Sequence, residues 1–428
     1  MNSNDIAYLK SNYPDYVLQA EKNYWHNFFL LVLDSATFTF ATAMFSKDTI
    51  LPYFITLLTT SPILIGLVPA VYFFGYYAPQ LLGAYMANHR SRRKPMILGI
   101  VIAERLGILM IALTAQFFGR VAPQWILFLF FISFMVFSFL NGLIGPAYSD
   151  FVGKNIVRSR GFFYGVSYAL SGAMGLIASL ISRYFLDQFP SPVNFQIVFW
   201  LGFGFSFLSP FFVARLREVE LPFISQTEPL QTFFQQIPGQ LKNSPLFLRF
   251  IWARALVGLG LMGTSFYAIY AIHRFSLSEG NLGSFTMIIL LAQSVLSLVW
   301  GWVGDRFGYK VVLLTTAVFL AVEAFLALVA PHAWMFFIIA FLVGGVYSAL
   351  SISDPNFVFE IVLPKQTSKF LGIANTFLAP IGVLGPLLAG MIVEKSGYTG
   401  LFSINLIIAL IAVIGVWVLV KEPRNKIQ

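Results

Sequence analysis

Gly301-Trp302-Val303-Gly304-Asp305-Arg306-Phe307-Gly308-Tyr309-Lys310 closes one apolar run, 282–304, and opens the next, 310–330. An adjacent Asp-Arg pair is costly inside hydrocarbon, so the strip reads as a tight turn at a membrane surface between two crossing helices. A crossing takes ~20 residues at ~1.5 Å each to span ~30 Å of hydrocarbon. Working outward, apolar runs of this length recur at 27–57, 62–87, 95–117, 124–147, 162–186, 194–214, 247–273, 282–304, 310–330, 333–355, 369–393 and 398–420. They are continuous. A membrane barrel would instead alternate apolar and polar residues in segments of about 10.

Composition agrees. The chain is 58% hydrophobic and 11% charged, against about 25% charged in soluble domains. The predicted class is an all-α integral membrane protein with twelve transmembrane helices in two six-helix halves. The first run is the least clean, because Ser46-Lys47-Asp48-Thr49 interrupts it. One reading splits it into a helix and an external loop. One long helix is preferred, which puts Lys47 and Asp48 at membrane depth.

The net charge of +9 is unevenly placed. With the N-terminus inside, about 20 of the 27 Lys and Arg fall in inner segments, and only Arg120, Arg183, Arg274 and Lys395 in outer loops. The positive-inside rule then puts both termini in the cytoplasm. The basic excess is a topology signal, and no nucleic-acid motif accompanies it. The host is open, with a bacterial inner membrane as the working expectation. Cysteine is absent, so there is no thiolate metal site, disulfide or cysteine nucleophile. His26, His89, His273 and His332 lack ligand spacing. No metal, cofactor or catalytic constellation is expected, and the chain does not read as an enzyme.

The expected organisation is a cytoplasmic segment 1–26, a six-helix bundle 27–216, a linker 217–246, a second bundle 247–420 and a tail 421–428. The linker carries Pro222, Pro229, Pro238 and Pro245, and its 230–241 stretch has the spacing of a surface helix. The halves repeat one another. Ala84-Tyr85-Met86-Ala87-Asn88-His89-Arg90-Ser91-Arg92-Arg93 stands 217 residues before the Gly301–Lys310 strip, at the same place in the order of spans. Such repeats mark transporter folds whose substrate site lies near the midplane between them.

The strip, its repeat and the twelve spans resemble the major facilitator superfamily, whose signature is Gly-x-x-x-Asp-Arg-x-Gly-Arg/Lys-Arg/Lys between helices two and three. The second-half copy matches at Gly301, Asp305, Arg306, Gly308 and Lys310. The first-half copy keeps Arg92 and Arg93 but has Asn88 in place of the aspartate. The resemblance covers residues 27–420. It implies a monomeric secondary transporter working by alternating access, with this motif latching the cytoplasmic side. The Gly-Pro signature of drug/proton antiporters is missing from helix five, while Gly385-Pro386 stands in helix eleven.

Buried charge is the sharpest functional signal, at about 2.5–3.5 kcal/mol per group on insertion scales. Asp34 in helix one and Glu104 and Arg105 in helix three fall at similar depth, so an Asp34–Arg105 pair is expected, either as a static tie or with a coupling role. Asp48 and Lys47 in helix one, Arg254 in helix seven, Glu323 in helix nine and Asp354 in helix ten are the other candidates. Arg254 could hold an anion or snorkel. Asp48 or Asp34 is where proton coupling is looked for. By the resemblance, helices one, two, five, seven and ten face the cavity. That adds Tyr72, Tyr76, Tyr168, Tyr267, Tyr270 and Tyr347, a tyrosine set suited to an amphipathic ligand. Asn141, Gln293 and Asn375 are further mid-span polar groups. Gly258-Leu259-Gly260-Leu261-Met262-Gly263 fits a dinucleotide pattern only by letter, since it lies inside an apolar helix. It reads as close packing or a flexible gate. The expected partners are membrane lipid, a small-molecule substrate and protons. The rivals are a lipid flippase or scramblase on the same fold and a non-transporting receptor.

Overall fold

The computed structural model describes residues 13–88, 90–220, 244–362 and 367–422, with isolated positions between 220 and 244, and no strand occurs among them. The 230–241 linker helix falls largely outside the described residues. The helices are α1 Pro14–Lys22, α2 Tyr24–Met44, α3 Ile50–Thr56, α4 Pro62–Tyr77, α5 Gln80–Asn88, α6 Lys94–Gln116, α7 Pro123–Asn155, α8 Arg160–Gln188, α9 Val193–Ser206 and α10 Leu208–Arg215. The second half has α11 Pro245–Gly260, α12 Thr264–Phe275, α13 Asn281–Phe307, α14 Tyr309–Val329, α15 Met335–Ile361 and α16 Thr367–Leu419.

Among the described residues, 11 helical stretches are long and apolar enough to cross a membrane. The last is a double crossing: α16 turns at Gly397, whose φ of 67° lies in the left-handed region that glycine tolerates. The total is therefore the twelve expected from the sequence. Two helices outrun their expected ends. α7 continues through Pro146 to Asn155, and α15 through Pro355 to Ile361, so Asp354 sits inside a helix rather than at its end.

The single long first helix is corrected. α2 stops at Met44 and α3 begins at Ile50, with Phe45 and Thr49 out of helical geometry. Lys47 and Asp48 lie in this break, where their side chains meet each other and Tyr347. The Gly258–Gly263 run also breaks its helix, as a 3₁₀ turn over Leu261–Gly263 between α11 and α12. That geometry suits a flexible gate.

The end of the bundle carrying Arg92 and Arg93 is termed the basic end, and the opposite one the far end. The halves meet where glycines let backbones approach. A Cβ on Gly66 would lie 2.3 Å from the Pro386 carbonyl oxygen, and one on Gly390 2.5 Å from that of Pro62, which ties α4 to α16. α8 and α13 close similarly at the far end, where a Cβ on Gly283 would stand 2.5 Å from the Arg183 amide nitrogen. Asp187 accepts the Gly280 N–H at 3.1 Å, and Asn194 donates to Glu279 at 2.5 Å, across the same seam. Toward the basic end the two helices part: Tyr168 is 71% and Leu298 77% exposed. Gly301 meets nothing within 4 Å there.

Candidate functional site between the halves

The far side of the inter-half space is closed by the break after α2. Lys47 Nζ reaches both Asp48 oxygens at 2.8 and 2.7 Å. Tyr347 of α15 donates to Asp48 Oδ1 at 2.8 Å and accepts from Lys47 at 3.1 Å. Lys47 also lies 5.3 Å from the ring centres of both Tyr72 and Phe73 on α4 and 4.5 Å from that of Tyr347, within cation–π range. Thr49 and Thr286 share a 2.6 Å hydrogen bond across the halves. Behind this lid, Asp48, Thr49, Thr264, Tyr267, Phe285 and Phe336 line a small cavity. The Lys47–Asp48 pair is neutral in itself, so burial does not force a third ion into it.

On α4, residues four apart stack into two ladders: Tyr72 on Tyr76 at 5.8 Å and Phe73 on Tyr77 at 6.0 Å. The second ladder leads from Lys47 to a small cavity lined by Phe73, Tyr77, Arg254, Gly258, Gly382 and Pro386. There Arg254 uses only Nε, which donates to the Asp354 oxygens at 3.0 and 2.9 Å. Its Nη1 and Nη2 donate to no described residue, although the side chain is only 7% exposed. The expectation of a simple snorkelling arginine does not describe this arrangement. The guanidinium is held by a carboxylate on one edge and turned toward an inter-half cavity on the other.

The expected direct Asp34–Arg105 pair is replaced by a relay. Arg105 Nη1 binds Glu104 at 2.6 Å, its Nη2 donates to the Ser209 hydroxyl at 2.9 Å, and Ser209 donates to Asp34. Tyr148 donates to the other Asp34 oxygen at 2.5 Å, Asn141 donates to Glu104 at 2.9 Å, and Arg105 Nε donates to the Ser206 carbonyl at 3.0 Å. Arg105 chooses its own neighbour because both sit on the same turn of α6, while α2 is one hydroxyl too far. Two carboxylates share one guanidinium, all three buried. Fully ionised, the cluster would carry one uncompensated negative charge.

The remaining candidates scatter. Asn375 donates to Gln80 at 2.7 Å and so ties α16 to α5. Tyr270 packs with Phe336, Tyr398 and Phe402 in a far-end aromatic cluster. Tyr267 accepts from Asn405 at 3.1 Å. Gln293 is half-buried on α13. Tyr168 stacks on Tyr164 on the open stretch of α8.

At the basic end the first-half motif finds its carboxylates elsewhere. Arg93 pairs with Asp150 of α7 at 3.0 Å, and Arg92 with Glu220 at 3.1 Å. Glu218 accepts the Arg93 and Lys94 backbone N–H groups at 2.8 and 2.9 Å. Asn88 ends α5, and its side chain lies outside the described residues. In the second-half motif, Tyr309 donates to Asp305 at 2.8 Å, Lys310 donates to the Trp417 carbonyl at 2.9 Å, and Arg306 lies over the Trp302 and Phe307 rings. Gly308 takes a φ of 90°, which accounts for the glycine in the motif. Ser209, Tyr148, Asp150, Glu218 and Glu220 gave no signal in the sequence. Hydroxyls are common in membrane helices, and the three carboxylates lie outside the motif window.

Two six-helix halves around an inter-half polar cavity define a secondary transporter. The Major Facilitator Superfamily model matches residues 33–273 and 253–428, and the chain belongs to that family. The voltage-gated purine nucleotide uniporter of Mus musculus is 24% identical over 372 residues, covering 80% of this chain and 78% of that protein. A probable actinorhodin transporter of Streptomyces coelicolor is 28% identical over 142 residues, 32% of this chain but only 25% of that protein. Among solved structures, a mutant of the nucleoside transporter NupG superposes with a TM-score of 0.74 at 16% identity, covering 92% of this chain and 98% of that one. The D-xylose-proton symporter gives 0.72 at 15% identity, covering 94% and 99%. These two establish the shared fold.

Proposed function

We propose that the substrate is a small organic anion with an aromatic or otherwise amphipathic body, bound between the halves against Arg254, Tyr77 and Phe73. One observation carries this reading: a buried arginine whose terminal nitrogens donate to no described residue, beside an aromatic-walled cavity. A guanidinium fork matches a carboxylate or phosphate, and stacked rings suit a flat body. That the Mus musculus relative is a purine nucleotide uniporter supports the anionic class. Lys47 and Asp48 form the far-side lid. The chain sits in its membrane with both termini on the cytoplasmic face, a bacterial inner membrane being the reading adopted. It acts as a monomer. Proton coupling resides at the Asp34–Glu104–Arg105 cluster rather than at Asp48, because that cluster is one positive charge short whereas Asp48 has its own lysine.

The test is counterflow in proteoliposomes, with labelled organic anions and their neutral analogues. A hydrogen bond to a charged group contributes about 1.5–3 kcal/mol, so Arg254→Gln weakens anion affinity roughly 10- to 150-fold. Equal transport of neutral analogues, with affinity unaltered in Arg254→Gln, refutes the anionic reading. Lipid transfer between leaflets without counterflow of any soluble compound would turn the assignment to the lipid-handling rival.

A further inference from the structure

The outward side of the first half carries a groove that shares no lining residue with the two inter-half cavities. It runs between α6 and the α9–α10 pair. Those two helices form one crossing, broken where Pro210 has no N–H to offer the Ser206 carbonyl. That carbonyl accepts from Arg105 Nε instead, and Arg105 lines the groove.

Two stripes of side chains four residues apart, and so on one helix face, form the walls. One is Leu98, Ile102 and Leu106 on α6, and the other is Phe203, Phe207 and Phe211 on α9–α10. Leu106 and Phe207 are 56% and 64% exposed. Each stripe continues by one step to a base at the basic end, Lys94 before Leu98 and Arg215 after Phe211. The Arg215 guanidinium lies 3.3 Å from the Phe211 ring centre, at the mouth of the groove. Lys94 Nζ reaches across to the Leu216 carbonyl at 2.8 Å. Among the described residues, no carboxylate forms an ion pair with either base. From Leu98 to Leu109 the lining runs about 16 Å at 1.5 Å per residue. That is close to half of the ~30 Å hydrocarbon thickness, the depth of one leaflet. The three guanidinium nitrogens of Arg105 are bonded to Ser206, Glu104 and Ser209. The walls are apolar and this cation is already engaged, so a preference for negative charge is set at the mouth.

We infer that this groove holds one anionic phospholipid of the leaflet at the basic end, with an acyl chain between the two stripes and its phosphate against Arg215 and Lys94. The lipid is a ligand of the outer surface, separate from the cargo path. The inference uses the membrane setting of the chain and does not depend on the substrate read at Arg254.

Native mass spectrometry of the purified full chain, delipidated and then titrated with phosphatidylglycerol or phosphatidylcholine, tests this. Wild type should bind a first phosphatidylglycerol more tightly than phosphatidylcholine. Arg215→Gln should weaken that binding roughly five-fold, the share of one basic group near an anionic lipid. Arg306→Gln, at the basic end of the other half, should leave it unaltered. Ala214→Phe fills the groove without changing its charge and should displace the same lipid. Equal binding of the two lipids by wild type, or equal effects of Arg215→Gln and Arg306→Gln, would show that Arg215 only snorkels and overturns the proposal. Unaltered binding in Ala214→Phe takes the chain out of the groove and overturns it too. Glycerol phosphate binding as tightly as the lipid would assign the mouth to a soluble phosphate. A dimer that Ala214→Phe dissociates would assign the groove to a second copy of the chain. Either result refutes the lipid.

Discussion

A methyl group added at Gly283 would stand 2.5 Å from the Arg183 amide nitrogen and 2.7 Å from the Ser179 carbonyl oxygen. Ordinary contact begins at 3.4 Å, so α8 and α13 must separate by about 0.9 Å (3.4 minus 2.5) for Gly283→Ala to fit. Both obstacles are backbone, so no rotamer change relieves them. Overpacking of this kind costs roughly 1–3 kcal/mol. The cost falls only on the conformation in which the far ends touch. The helix-propensity gain of alanine, about 1 kcal/mol, is common to both conformations and cancels. The ratio of far-closed to far-open molecules should therefore fall roughly 5- to 150-fold. The chain has no cysteine, so spin labels at Gln188→Cys and Ser278→Cys report the seam without background. Double electron–electron resonance should show the longer distance gaining population in Gly283→Ala. Gly165→Ala, where nothing lies within 4 Å, is the control. An unaltered distance distribution in Gly283→Ala would show that the glycine does not set the closure.

Arg105→Met removes the only cation shared by Asp34 and Glu104. Breaking a buried pair in this way costs about 3–5 kcal/mol, to be seen as a lowered Tm in detergent, while Glu104→Gln should be milder. Lys47→Met and Asp48→Asn should each destabilise the far-closed form, and the double variant should cost less than the sum of the two, measured as a thermal double-mutant cycle. Burial raises the Glu279 carboxyl above its ordinary 4.5, with hydrogen bonds from Asn194 and Tyr53 opposing part of that rise. A raised carboxyl favours the closed seam at pH below 4.5, and that contribution is lost as pH rises through the shifted value. The spin-label distance should therefore lengthen with rising pH, and Glu279→Gln should flatten this dependence.

The spans were legible because hydrocarbon imposes one length and one composition on every crossing. Even the turn at Gly397 follows from the charged Glu394-Lys395 pair before it. The motif loops were legible as charge breaks at repeated positions. What escaped were pairings set by tertiary geometry. Lys47 and Asp48 announce polarity, but their shared contact with Tyr347, 300 and 299 positions on in sequence, is visible only in the structure. Arg105 was assigned to Asp34 by depth alone. Depth cannot see that Glu104 is nearer and that Ser209 supplies the missing reach.

Counting charge within each buried group sharpens what those pairings mean. Lys47 with Asp48 and Arg254 with Asp354 each set one cation against one anion. They differ in what is left over. Lys47 spends its charge on Asp48, Tyr347 and the flanking rings, whereas Arg254 keeps two nitrogens unbound. On the proposed reading, an arriving anion gains more at Arg254, and Lys47 belongs to the far-side closure. The first-half cluster sets two carboxylates, Asp34 and Glu104, beside one guanidinium, Arg105. Asp354→Asn should strengthen anion binding at Arg254 by freeing Nε. Weakened counterflow affinity in Asp354→Asn, with the protein still folded, would mean that Asp354 positions the guanidinium more than it competes for it.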